Sequence, residues 1–196
     1  MKKLLYAAVT LFVLATGINA NAATLNAAGG ILYGASGVDV GGTLYDVEFL
    51  DGTCIALFDG CDDVTDFTFQ TGAAANLASQ ALLDQVFINS SLGDFDASPE
   101  KTNGISNTHL GTIFTVYSYT APNIIDMIIT SNYKGTNSDS YRTFLSYLNH
   151  YDQTNLAIQT FARWTVTAVP LPAAFPLYGA GLAVMGFIGW RRKRKA

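Results

Sequence analysis

Four carboxylates, Asp59, Asp62, Asp63 and Asp66, fall within eight residues around Cys61. Hard cations such as calcium take several oxygen ligands, and acids gathered beside the turn residue Gly60 could supply them. Their spacing departs from the alternating positions and terminal Glu of an EF-hand loop, so a calcium site and a solvated acidic turn both fit the residues. Cys54 and Cys61 are the only two cysteines. In an oxidising compartment such a pair forms a disulfide by default, here closing a short loop whose natural bend is Asp59-Gly60. In the cytosol the same pair would suggest metal or redox chemistry.

Nucleophilic catalysis needs a base beside the nucleophile, and His109 and His150 are the only histidines. Neither lies in a nucleophile-elbow motif, and no zinc-protease H-E-x-x-H pattern occurs. A glycoside hydrolase would need two carboxylates facing one cleft, which the number of acids here could supply by chance alone. Tyr117, Tyr119, Tyr147 and Tyr151 fall in or near predicted strands, where they could stack on sugars or simply pack a sheet. The residues predict no catalytic centre and no required cofactor: the expectation is a non-enzymatic surface or matrix protein, with a calcium- or carbohydrate-binding module as the alternative and a secreted hydrolase, which a cleft holding a perturbed carboxylate would mark, as a third reading.

The two ends are more specific. Met1-Lys2-Lys3 precedes an apolar run from Leu4 to Ala15 that closes at the small-residue site Ala20-Asn21-Ala22. That is the layout of a secretory signal peptide over residues 1–22, cleaved after Ala22, and the run is too short to span a bilayer, which takes roughly 20 residues. At the other end, Val169-Pro170-Leu171-Pro172-Ala173 is followed by an uncharged stretch to Trp190 and then by Arg191-Arg192-Lys193-Arg194-Lys195. A helix over 173–190, rising about 1.5 Å per residue, would just cross a membrane, and the basic cluster at 191–195 would stay on the cytoplasmic side with the body outside.

Val169 to Ala196 resembles the PEP-CTERM sorting signals, in the variant where Val-Pro-Leu-Pro-Ala replaces Pro-Glu-Pro. All three parts of that signal are present: the proline motif, the Gly-rich span with Gly179-Ala180-Gly181-Leu182, and the basic end. The resemblance implies recognition by an exosortase, a membrane-embedded cysteine protease or transpeptidase, with cleavage near Pro170 to Pro172. It further implies a Gram-negative host that makes exopolysaccharide and biofilm matrix. The block from Tyr45 to Asp62 is similar to one in other proteins with such tails and implies no activity. The expected partners are thus signal peptidase, exosortase, the inner membrane before processing, and exopolysaccharide. The expected route runs from an inner-membrane precursor with a periplasmic body to the cell surface or the medium.

Between the signals lie four basic residues, Lys101, Lys134, Arg142 and Arg163, and all fifteen acidic ones, a formal charge of −11. Phosphate backbones would repel such a body, which excludes nucleic acid as a partner and leaves cations and neutral sugars open.

Residues 23–168 are long enough for one domain with a real core. Thr43 to Phe49 alternates, and Asp51-Gly52 signals a turn, predicting a hairpin from Thr43 to about Phe58, with Phe67 to Phe69 as a further short strand. Ala73 to Val86 is Ala-rich with Leu77, Ala81, Leu82 and Val86 at helical spacing. Asn89 to Thr108 reads as a polar, mobile loop. Leu110 to Tyr119, Ile124 to Ser131 and Ala157 to Ala168 read as strands, and Tyr141 to Asn149 fits strand or helix. The expectation is α+β: an antiparallel sheet or small sandwich carrying one packed helix.

Overall fold

Ile124–Tyr133 is apolar at most positions, the pattern of a strand covered on both faces. In the computed structural model, which describes residues 22–135 and 139–168, it is such a strand, buried along nearly its whole length. Among the described residues it is the seventh of nine: β1 (Thr24–Ala28), β2 (Ile31–Val40), β3 (Thr43–Leu50), β4 (Asn89–Ser90), β5 (Gly93–Asp94), β6 (Leu110–Ala121), β7 (Ile124–Tyr133), β8 (Ser140–Leu148) and β9 (Gln159–Val166). Seven of them form one sheet in the order β1-β2-β3-β9-β6-β7-β8, and β4 and β5 make a separate small hairpin. The segments expected as signal peptide, to Asn21, and as sorting tail with a membrane-spanning helix, from Val169 onward, lie outside the described residues, whereas Ala22 is described and exposed.

The architecture is mostly β-sheet with one packed helix, a sandwich-like α+β arrangement. Two antiparallel meanders, β1-β2-β3 and β6-β7-β8, are joined by β9, which enters last and fills the centre. One pairing departs from the expected antiparallel pattern: β9 runs antiparallel to β3 but parallel to β6, and the parallel contact lasts only from Thr112↔Gln159 to Phe114↔Phe161. Beyond it the Thr68 hydroxyl donates to the carbonyl of Trp164, on the stretch of β9 that β6 no longer pairs. Phe67 and Phe69 belong to different core clusters, so the segment expected as a strand crosses between the two cores instead.

Helix α2 (Gly72–Ala81) covers one face, with Ala75, Ala78 and Ala81 packed among Val38, Val47, Ile113, Ile128 and Trp164. Thr71 caps it, accepting from the Ala74 N–H at 3.2 Å. The helix expected over 73–86 is present, but its last five residues, Leu82–Val86, widen into a π-turn. Leu77 points outward at 54 % exposure, because small Ala side chains, which let helix and sheet approach closely, form the inner face.

The other face carries the turn around the cysteines. Asp51-Gly52 does not fold β3 back into a hairpin, since both edges of β3 are already paired, by β2 and β9. The chain instead enters a single helical turn, α1 (Cys54–Leu57), whose cap Thr53 accepts from the Ala56 N–H at 3.2 Å. Cys54 and Cys61 are disulfide-bonded, with Cα atoms 5.7 Å apart. Phe58 packs on both Phe67 and Phe161, and Phe161 packs on Phe114. The polar loop expected to be mobile is anchored: Phe95 and Ile105 are buried, and the Asn132 side-chain amide donates to the Phe95 carbonyl at 2.8 Å. Segment 141–149 resolves to strand, as edge strand β8.

Candidate functional site

From Asn149 to Ile158 the chain returns from β8 to the start of β9 through a polar sequence that no core would select. Two of its polar side chains are nevertheless buried, Asn149 at 3 % and Gln153 at 0 % exposure. Burial of an amide is tolerated only with partners, which the N–H groups of both have, while Asn149 Oδ1 and Gln153 Oε1 have none. Asn149 donates through its side chain to the Cys61 carbonyl at 3.0 Å, while its own carbonyl accepts from the Ile55 N–H at 3.4 Å. Gln153 donates from its backbone to the Gly52 carbonyl at 3.0 Å and from its side chain to the Tyr147 hydroxyl at 2.7 Å. Further on, the Ala157 carbonyl accepts from both Ser106 and Asn107 N–H groups at 2.8 Å. The disulfide turn on one side and the 102–108 loop on the other thus fix the course of this return segment.

Two open clefts result, with Leu156 in the wall of both. The polar one, about 350 Å³, is bounded by Asp51, the backbone from Gly104 to Ser106, and Thr154 to Ala157. The aromatic one, about 470 Å³, is bounded chiefly by Phe144, Tyr147, Leu148, Tyr151 and Gln159. Gly104 shapes the polar floor: its φ of +84° disfavours a side chain, and a Cβ there would lie 2.3 Å from Asp51 Oδ1 and 2.8 Å from Thr160 Oγ1. Both of those oxygens are buried, and the Thr160 hydroxyl is the hydrogen-bonding neighbour of the carboxylate.

Burial pushes the Asp51 carboxyl above the ordinary carboxylate range; the Thr160 hydroxyl works against that shift, and the Asp152 carboxylate adds to it. Asp152 is held below the ordinary range by the Thr154 N–H and hydroxyl, at 2.9 and 2.7 Å. Burial also raises the Tyr147 hydroxyl, opposed by the bond from Gln153. Chemically the clefts offer hydrogen-bond acceptors beside an aromatic surface.

The other candidate residues are placed elsewhere. Asp66 Oδ2 accepts from the Asp62 and Asp63 N–H groups at 3.0 and 3.1 Å, and Asp63 Oδ1 accepts from the Thr65 N–H and hydroxyl, both at 2.8 Å. Together they form a reciprocal capping box on a short 3-10 turn, Val64–Asp66. Those bonds hold Asp63 below the ordinary carboxylate range. Among the described residues no group of three or more His, Cys, Asp or Glu side chains gathers as a metal ligand set. His109 Nδ1 lies 3.0 Å from the Thr108 hydroxyl on an exposed surface, outside both clefts, and His150 is exposed.

Of the four tyrosines, only Tyr147 and Tyr151 reach a cleft; Tyr117 packs in the core under α2 and Tyr119 in the core under the disulfide turn. Sequence spacing does not reveal Asp51, Gly104, Leu156 or Gln159 as site residues, although Asp51 is visible as half of a turn signal. Ala20 and the motif Val169, Pro170, Leu171, Pro172 and Ala173 lie outside the described residues. In comparisons with known proteins, the chain matches no family model, no curated protein and no solved structure.

Proposed function

We propose that this chain is an exported, exosortase-sorted envelope protein whose body acts outside the cytoplasm as a non-enzymatic surface or matrix component. The observation that carries the reading is where the folded body stops and starts relative to the two terminal signals. Strand β1 begins at Thr24, two residues past Ala22, and the last backbone tie among the described residues is the Thr167 N–H to the Leu44 carbonyl, at 3.0 Å. The Thr167 hydroxyl also donates to Asp46 Oδ1 at 2.8 Å. A signal peptidase cut after Ala22 and an exosortase cut near Pro170 to Pro172 would therefore both leave the sheet intact.

Two further features support it. The bonded Cys54–Cys61 pair suits an oxidising compartment rather than the cytosol. A formal body charge of −11 suits a soluble envelope component that does not engage nucleic acid. The tail resemblance names the class of sorting enzyme and points to association with exopolysaccharide.

The test is the thiol state in cells. With residues 1–22 present, Cys54 and Cys61 are expected to resist alkylation until reduced; with those residues deleted, both should react directly. Free thiols in the full chain would contradict export to an oxidising compartment.

A further inference from the structure

We infer that the two clefts flanking Leu156 form one binding groove for a neutral glycan chain, an inference independent of how the protein is sorted. Glycan recognition needs acceptors for sugar hydroxyls and an apolar surface for the C–H face of the ring. Both are present and adjacent here. Asp51, Ser106, Thr154 and Asn155 border the polar cleft and bring hydrogen-bonding groups to it. Gly104 packs closely over the Asp51 and Thr160 oxygens, where any Cβ would fall against both, and so sets the depth of this floor.

On the other side of Leu156, Tyr151 is 47 % exposed and rests edge-to-face on Tyr147, with centroids 5.9 Å apart and planes at 75°. Tyr147 is in turn fixed by Phe114 at 5.5 Å and by the Gln153 amide. A large exposed aromatic held by its neighbours presents a prearranged surface, which lowers the entropy lost on binding. Gln159, beside the Tyr147 hydroxyl, adds an amide that can donate and accept. Each cleft falls in the size range of small-molecule sites, about 300 to 1,000 Å³.

Charge selects the class of glycan. Among the described residues no Lys or Arg borders either cleft, and the polar one includes a carboxylate. Uronate, sulfate or phosphate groups would meet Asp51 and a body of formal charge −11. Uncharged hexose chains meet no such penalty.

The experiment is isothermal titration of the full-length chain, held in a detergent without a sugar headgroup, with cellohexaose, maltohexaose and a guluronate hexamer. Saturable binding of at least one neutral hexamer is expected, with the guluronate chain weaker by about tenfold or more, equivalent to about 1.4 kcal/mol. Tyr151→Ala, at an exposed position, should weaken the neutral ligand by about tenfold or more while leaving the melting temperature within a degree or two, and Asp51→Asn should weaken it several-fold. Absence of neutral binding at millimolar concentration overturns the inference. So does binding that neither variant changes, a preference for guluronate, or release of new reducing ends from a bound hexamer. None of these outcomes bears on the sorting reading, whose tests read thiols and termini.

Discussion

The side-chain amide of Asn149 donates to the carbonyl oxygen of Cys61 across 3.0 Å, joining two turns that lie 88 residues apart in the chain. Through that bond the disulfide loop supports the return segment, and the return segment carries Gln153, Thr154 and Leu156 to the clefts. The disulfide is thus tied to the site as well as to the core.

Removing the tie has a calculable cost. Asn149→Ala leaves the buried Cys61 carbonyl without this partner and is expected to lower stability by about 1 to 3 kcal/mol. Replacing both cysteines by Ser should cost about 2 to 3 kcal/mol. Because Asn149 acts on a turn that the disulfide fixes, the triple variant should lose less than the combined single effects. Urea unfolding of the three variants measures this, and strict additivity would mean that the two turns are not coupled.

Gly104→Ala places a methyl 2.3 Å from Asp51 Oδ1 in a backbone region that side chains disfavour, at φ +84°. Left-handed strain alone costs about 1 to 3 kcal/mol, and displacement of Asp51 adds to it. The expected result is a melting temperature several degrees lower, by about 4 to 8 °C per kcal/mol for a domain near 100 residues and less for a larger one. An unchanged melting temperature would show that Asp51 does not occupy the floor as described.

Asp51 also makes stability depend on pH. A native carboxyl held above its ordinary value of 3.8 binds its proton more tightly than the unfolded chain does, so its contribution is most favourable below that value and is lost as pH rises through the native one. Asp51→Asn removes this titration. The melting temperature of the wild type minus that of the variant should therefore fall between about pH 3 and pH 7. Asp139 shifts the same way and Asp63 the opposite way, but both are common to both chains and cancel in the difference; Asp152, which repels Asp51 only while both are charged, deepens the same fall. A difference that rises with pH would contradict the burial of Asp51.

Asp66→Ala deletes the acceptor of two N–H bonds, from Asp62 and Asp63, and should cost about 1 kcal/mol, as loss of a helix cap does. The loss should be as large in a chelating buffer as without one, because hydrogen bonding within the turn accounts for it. Thermal unfolding with and without EDTA checks this; a loss that vanishes in EDTA would transfer the role of Asp66 to a bound cation.

These sites show what a sequence can and cannot disclose. β6, β7 and β9 are legible because β-branched and aromatic residues persist along them, and α2 because Ala and Leu recur at helical spacing. β1 and β2 escape notice because Gly29, Gly30, Gly34 and Gly37 dilute the alternation that would mark them. The turn joining β2 to β3 is Gly41-Gly42, both at positive φ, a strong hairpin signal whose flanking strand the other glycines obscure. Asp51-Gly52 misleads in the opposite sense, since its turn chemistry is real but both edges of β3 are taken by strands remote in sequence. The site is harder still. Asp51, Gly104, Leu156 and Gln159 come together only through the return of the chain to the centre of the sheet, and no local pattern records that. Tyr147 and Tyr151 are visible as candidates, but spacing marks Tyr117 and Tyr119 equally, and only tertiary packing separates the pairs.

The central claim, that the chain is exported and then cut at its tail, is tested most directly by the intact mass of the protein recovered from cells with and without their exosortase. The account predicts a body starting at Ala23 in both strains and ending near Pro170 to Pro172 only where the enzyme is present. A chain still ending at Ala196 in both strains would contradict it and leave a plain membrane-anchored protein.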